Sequence, residues 1–136
     1  MARILLAEDD TAVQSFVSRA LVHKGHDVTA VEDGIQALEA LGGGLDDAFD
    51  DDGFDLLITD IVMPGLDGIG LALKVARDYP DLPVLLMTGY SAERQRAHNL
   101  EELICQVVTK PFSLKEICEA AEDALTMGAI SARYDH

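Results

Sequence analysis

Short apolar runs alternate with helical stripes along this chain, and that alternation leaves few folds open to it. Ile4–Ala7 is wholly apolar and reads as a strand. Val13, Phe16, Val17, Ala20 and Leu21 then recur at helical spacing and predict a helix with one apolar stripe. Thr11 and Gln14 stand at capping-box spacing. Gly25 is placed to end this helix in the left-handed conformation. Asp27–Val31 reads as a second strand and Gly34–Leu41 as a short helix. Phe54–Thr59, nearly all apolar, reads as a strand buried on both faces. Ile69, Ala72, Leu73 and Ala76 give the next helix, which stops before Pro80. Val84–Met87 is a fourth strand, Ser91–Leu103 a weak polar helix and Ile104–Val108 a fifth strand. A second capping box, Ser113 with Glu116, precedes the stripe of Ile117, Ala120, Ala121, Ala124 and Leu125. Strands and helices in this order predict an α/β domain, a doubly wound parallel sheet with helices on both faces.

Two stretches break the pattern. Residues 42–53 hold four glycines and five aspartates, an acidic loop insertion. It fails as an EF-hand loop: with Gly53 as the invariant glycine, positions 1 and 12 fall on Ala48 and Thr59. Residues 128–136 have little apolar content and read as a short tail, so the domain is expected over residues 1–127.

Charge narrows the partners. Lys and Arg total 10 against 25 Asp and Glu, a net charge of −15. Nucleic-acid binding and docking on anionic lipid both need a basic face. No run nears the roughly 18 apolar residues of a membrane span, and the N-terminal apolar stretch meets Glu8 too soon for a signal peptide. Cys105 and Cys118 make neither a disulfide framework nor a metal cluster and read as small core or boundary residues. His23, His26, His98 and His136 show no ligand spacing. A cytoplasmic domain of 136 residues is the expectation.

The chemistry collects behind the strands. The first strand runs into Glu8-Asp9-Asp10, the third ends at Asp60, the fourth at Thr88 and the fifth at Lys110. In a doubly wound sheet, ligands bind outside the carboxyl ends of the strands. Acids, a hydroxyl and an amine are therefore delivered to one rim. Clustered carboxylates without His or Cys suit a hard cation, Mg²⁺ best of all. A carboxylate beside such a metal can attack phosphorus, while the lysine and the metal neutralise the phosphoryl oxygens. The set reads as an aspartyl-phosphate site.

Glu8-Asp9, the block Asp60-Ile61-Val62-Met63-Pro64-Gly65-Leu66-Asp67-Gly68, the pair Thr88-Gly89 and Lys110-Pro111-Phe112 together resemble the receiver domain of two-component response regulators. The resemblance covers about residues 3 to 126, with all motifs in order. It implies a flavodoxin-like (βα)5 fold with strand order 2-1-3-4-5. It implies Asp60 as phosphoacceptor, Asp9 and Asp60 as Mg²⁺ ligands, Glu8 acting on the metal through water, and the Val62 backbone carbonyl as a further ligand. Thr88 would be the switch hydroxyl, Lys110 the phosphate partner, and Pro111 would follow a cis bond. Met1–Asp10, Leu85–Tyr90 and Val107–Ser113 are worded like CpdR-like single-domain receivers of alphaproteobacteria. That likeness implies phosphate from a histidine kinase or histidine phosphotransfer protein, and an adaptor role for the ClpXP protease, active when unphosphorylated. One departure stands out. Many receivers carry Tyr or Phe three residues before the lysine, where this chain has Val107. Tyr90, two residues past Thr88, is the aromatic near the site and a candidate gate beside Val107.

Two other classes are weighed against this. A haloacid-dehalogenase-like Mg²⁺ phosphohydrolase would use Asp60 as nucleophile and a second Asp two residues on, where Val62 stands. A flavodoxin-like cofactor binder would need a Ser/Thr/Gly-rich phosphate loop after the first strand, where three acids stand instead.

Overall fold

A computed structural model describes residues 2–42, 53–63, 65–79, 81–89 and 106–134. Strands β1 (Arg3–Ala7), β2 (Asp27–Val31), β3 (Leu56–Asp60), β4 (Val84–Thr88) and β5 (Gln106–Thr109) form one sheet in the order β2-β1-β3-β4-β5. Every pairing is parallel. Helices α1 (Thr11–His23), α2 (Gly34–Gly42) and α3 (Gly68–Asp78) and a C-terminal helix, Leu114–Tyr134, complete the described elements. This is the doubly wound, flavodoxin-like arrangement.

Strand alternation builds a core on each face of the sheet, because successive side chains point to opposite sides. Ile4, Leu6, Leu56, Ile58, Leu85 and Met87 join Val17 and Leu21 of α1 and Ile117 and Ala121 of the C-terminal helix. Leu5, Ala7, Leu57, Val84 and Leu86 join Ala37 of α2 and Ile69, Leu71 and Val75 of α3. β3 and β4 are buried along their whole length. That explains why their sequences are apolar runs without alternation.

The helix ends follow local chemistry. Gly25 takes a φ of +94° just past α1, where its N–H bonds to Val22 O at 2.9 Å. Ser113 and Glu116 cap the C-terminal helix reciprocally, each bond 3.0 Å long.

Several expectations are corrected. The cap of α1 is Asp10 rather than Thr11, its carboxylate accepting from Ala12 N and Val13 N. The carboxylate sits one residue earlier and outcompetes the hydroxyl, while Gln14 turns its side chain elsewhere. Phe16 is 39% exposed rather than core, its ring 6.3 Å from that of Phe112. In α3 the buried face runs through Leu71 and Val75, and Leu73 is 52% exposed. Residues 128–134, read as a tail, continue the C-terminal helix. An isolated glycine such as Gly128 costs a helix about 1 kcal/mol without stopping it. The fifth strand extends to Thr109. The acidic insertion over 43–52, the helix expected at 91–103, Tyr90 and Cys105 lie outside the described residues. Cys118 is a buried core residue.

Candidate functional site

Register brings the rim together. Ala7 pairs with Thr59, Asp60 with Met87, and Thr88 with Thr109. Glu8, Asp60, Thr88 and Lys110 therefore stand at or one residue beyond the carboxyl ends of four adjacent strands. Lys110 links them. Its Nζ lies 3.1 Å from Asp60 Oδ2 and 3.3 Å from Glu8 Oε2. The Lys110–Pro111 peptide bond is cis.

Asp60 is buried and its Oδ1 accepts from Ile61 N at 2.9 Å. Behind it, the buried Thr59 hydroxyl donates to Asp60 O at 2.9 Å. Glu8 is fully buried, and its Oε1 accepts from Asp10 N at 3.0 Å. Asp9 faces solvent. Glu8, Asp9 and Asp60 each offer an oxygen, and these atoms lie within 4.8 Å of one another.

The electrostatics follow from burial. Desolvation pushes the Glu8 carboxyl up to about 7; the Asp10 N–H and the Lys110 ammonium oppose the rise, and the Asp60 carboxylate adds to it. Burial alone would lower Lys110, but Asp60 and Glu8 outweigh it and hold the ammonium above its ordinary range. Two carboxylates, Glu8 and Asp60, thus share one ammonium. An all-oxygen set with one open, solvent-facing member fits Mg²⁺, which takes one or two carboxylates and keeps several waters.

Thr88 supplies a different sign of use. It is fully buried at the end of β4, and among the described residues its Oγ1 has no hydrogen-bond partner. An unmet buried hydroxyl costs about 1–3 kcal/mol. Thr88→Val is therefore expected to stabilise the metal-free protein by about 1 kcal/mol in urea unfolding, while removing the donor the rim holds in reserve. An unchanged or lower midpoint would show that the hydroxyl is satisfied in solution.

Val107 is half-buried and packs in the α2–α3 core, so an aliphatic side chain occupies the β5 position before Lys110. Val62 is 51% exposed on the segment after β3. The sequence missed one participant, Gln14, whose Nε2 donates to Glu8 O and to Val31 O, both at 3.1 Å. Its spacing suggested a cap, and no sequence signal points to a bond across 17 residues.

An open parallel sheet carrying this acidic rim defines a receiver. Residues 4–122 match the response regulator receiver domain family, and the chain belongs to that family. Among curated proteins it is similar to the response regulator receiver protein CpdR of Brucella abortus, 37% identical over 92% of this chain and 98% of CpdR. It is 33% identical to the transcriptional regulatory protein TcrA of Mycobacterium tuberculosis, spanning 85% of this chain but only 42% of TcrA. Among solved structures, the receiver domain of NtrX from Brucella abortus superposes with a TM-score of 0.76 at 26% identity, covering 90% of this chain and 98% of that one. A receiver domain protein of Clostridium thermocellum gives a TM-score of 0.81 at 19% identity over 96% and 98% of the two chains, a likeness of fold. The chain is thus a CpdR-like receiver of a two-component system, and its receiver relatives are signalling proteins. Among the described residues, no helix is long and apolar enough to cross a membrane.

Proposed function

We propose that this receiver accepts a phosphoryl group on Asp60 and switches a protein–protein interaction in a phosphorelay. The observation that carries the reading is the Lys110 ammonium held within 3.3 Å of both Asp60 and Glu8 at the strand ends. A carboxylate oxygen of Asp60 attacks the phosphorus of a phosphohistidine. The new O–P bond forms as the N–P bond to the donor imidazole breaks. Lys110 neutralises charge on the phosphoryl oxygens, and Thr88 donates its buried hydroxyl to one of them. Asp9, Asp60 and the Val62 carbonyl would hold Mg²⁺, with Glu8 acting through water. When bound, Mg²⁺ offsets the charge that gathers on the transferred group.

The donor is a histidine kinase or a histidine phosphotransfer protein. Incubation with Mg²⁺ and acetyl phosphate should give one phosphoryl adduct by intact mass, absent from Asp60→Asn and from a chelated sample. An adduct that survives in Asp60→Asn would move the acceptor elsewhere.

For output, the likeness to CpdR favours an adaptor for the ClpXP protease that works when unphosphorylated. Asp60→Ala should then retain ClpX in a pull-down, and wild type loaded with beryllofluoride should lose it. Equal capture in both states would argue for another partner.

A further inference from the structure

We infer that Gln14 is a positioning residue for the metal end of the site: its side-chain amide sets the Glu8–Asp9 peptide and, through it, the aim of the Asp9 carboxylate. The inference rests on the reading of Glu8, Asp9 and Asp60 as a Mg²⁺ centre.

Gln14 is half-buried on the first turn of α1. Both partners of its side chain are carbonyl oxygens, so the atom facing them must be the amide nitrogen. The two protons of that nitrogen go to Glu8 O and Val31 O. Val31 O also accepts from Glu8 N at 3.0 Å. The last rung between β1 and β2 is thus doubled at the point where the chain leaves the sheet. Glu8 O belongs to the planar peptide whose nitrogen is that of Asp9. Holding this oxygen holds the plane from which the Asp9 side chain departs.

The other end of the turn is held by the same residue. Gln14 N donates to Asp10 O at 2.9 Å, and Asp10 in turn caps α1 and donates to Glu8 Oε1. Gln14 therefore grips the residues on both sides of Asp9, one with its side chain and one with its backbone. Asp9 is the solvent-facing carboxylate of the cluster and takes its direction from these neighbours. Groups that orient a metal ligand without touching the metal change affinity about 10- to 100-fold when removed.

The test is calorimetric titration of MgCl2 into the full chain, as wild type, Gln14→Met and Gln14→Glu, with thermal melting in chelator alongside. Methionine keeps the length and the neutrality and removes both donors. Glutamate keeps the shape, offers oxygens to two carbonyls, and adds a charge that by itself would tighten cation binding. Mg²⁺ affinity about tenfold weaker in Gln14→Met, and weaker also in Gln14→Glu, is the expected result. If Gln14→Met does not fold, weakening in Gln14→Glu carries the same conclusion. A lowered melting temperature with a Kd within twofold of wild type would make Gln14 a fold residue only and overturn the inference. Wild type that takes up no Mg²⁺ would overturn the metal centre itself, and the assignment with it.

Discussion

Gly68→Ala is expected to destabilise the domain by about 3 kcal/mol or more and to take the proposed phosphoryl adduct with it. Gly68 opens α3, and its N–H donates to Ile61 O at 2.8 Å. A methyl group there would overlap the Asp60 carbonyl oxygen and stand 2.8 Å from both the Asp60 carbonyl carbon and Ile61 Cα. These are backbone atoms of Asp60 and Ile61 and cannot rotate aside, unlike the tip of a side chain. The helix must therefore move off the strand end or Asp60 must shift. Both lose packing, since Gly68 and Asp60 are buried. The same exchange at Gly42, where nothing lies within 4 Å, should be neutral or mildly stabilising. Chemical denaturation of the two variants checks the contrast, and equal midpoints would refute the close-approach argument.

The second large effect belongs to the middle of the sheet. Ile58→Ala is expected to cost about 2–5 kcal/mol. Ile58 has no exposed surface and lies in the α1 core beneath Asp60. Its strand is flanked by β1 and β4, so the site has little freedom to collapse around the cavity. Val28→Ala on the edge strand β2, half-buried, should cost distinctly less, about 1 kcal/mol. Urea unfolding of both variants gives the comparison. Similar losses would mean that the sheet edge is as tightly packed as its centre.

Much of this architecture was legible because apolar runs and stripes report burial directly. The runs at Ile4–Ala7 and Val84–Met87 and the Ser113–Glu116 box gave strands and a helix start without further help. The acids and the lysine of the rim were legible because they stand at or just past the ends of strands. Details set by competition between neighbours were not. Asp10 and Thr11 are both good caps, and only geometry chose the carboxylate. Leu73 has the right hydrophobicity for the core, but the rotation of α3 on the sheet turns Leu71 and Val75 inward instead. Residues 128–136 read as a tail for want of apolar residues, yet the alanines there favour helix and the helix runs on to Tyr134. Gln14 was opaque for a different reason. Its bond to Val31 depends on which strand lies beside β1, and nothing local in the sequence encodes that neighbour.

Among the described residues, the sheet divides the interior into two cores with no buried side chain in common. It acts as a partition wall. Drift in sequence on the α1 side can be absorbed by α1 and the C-terminal helix, without retuning the partners of α2 and α3. Only the backbone of the strands is common property, and the functional groups stand at its end. A lineage built on this plan can reshape either flank for a new partner and leave the rim of Glu8, Asp60, Thr88 and Lys110 where it is.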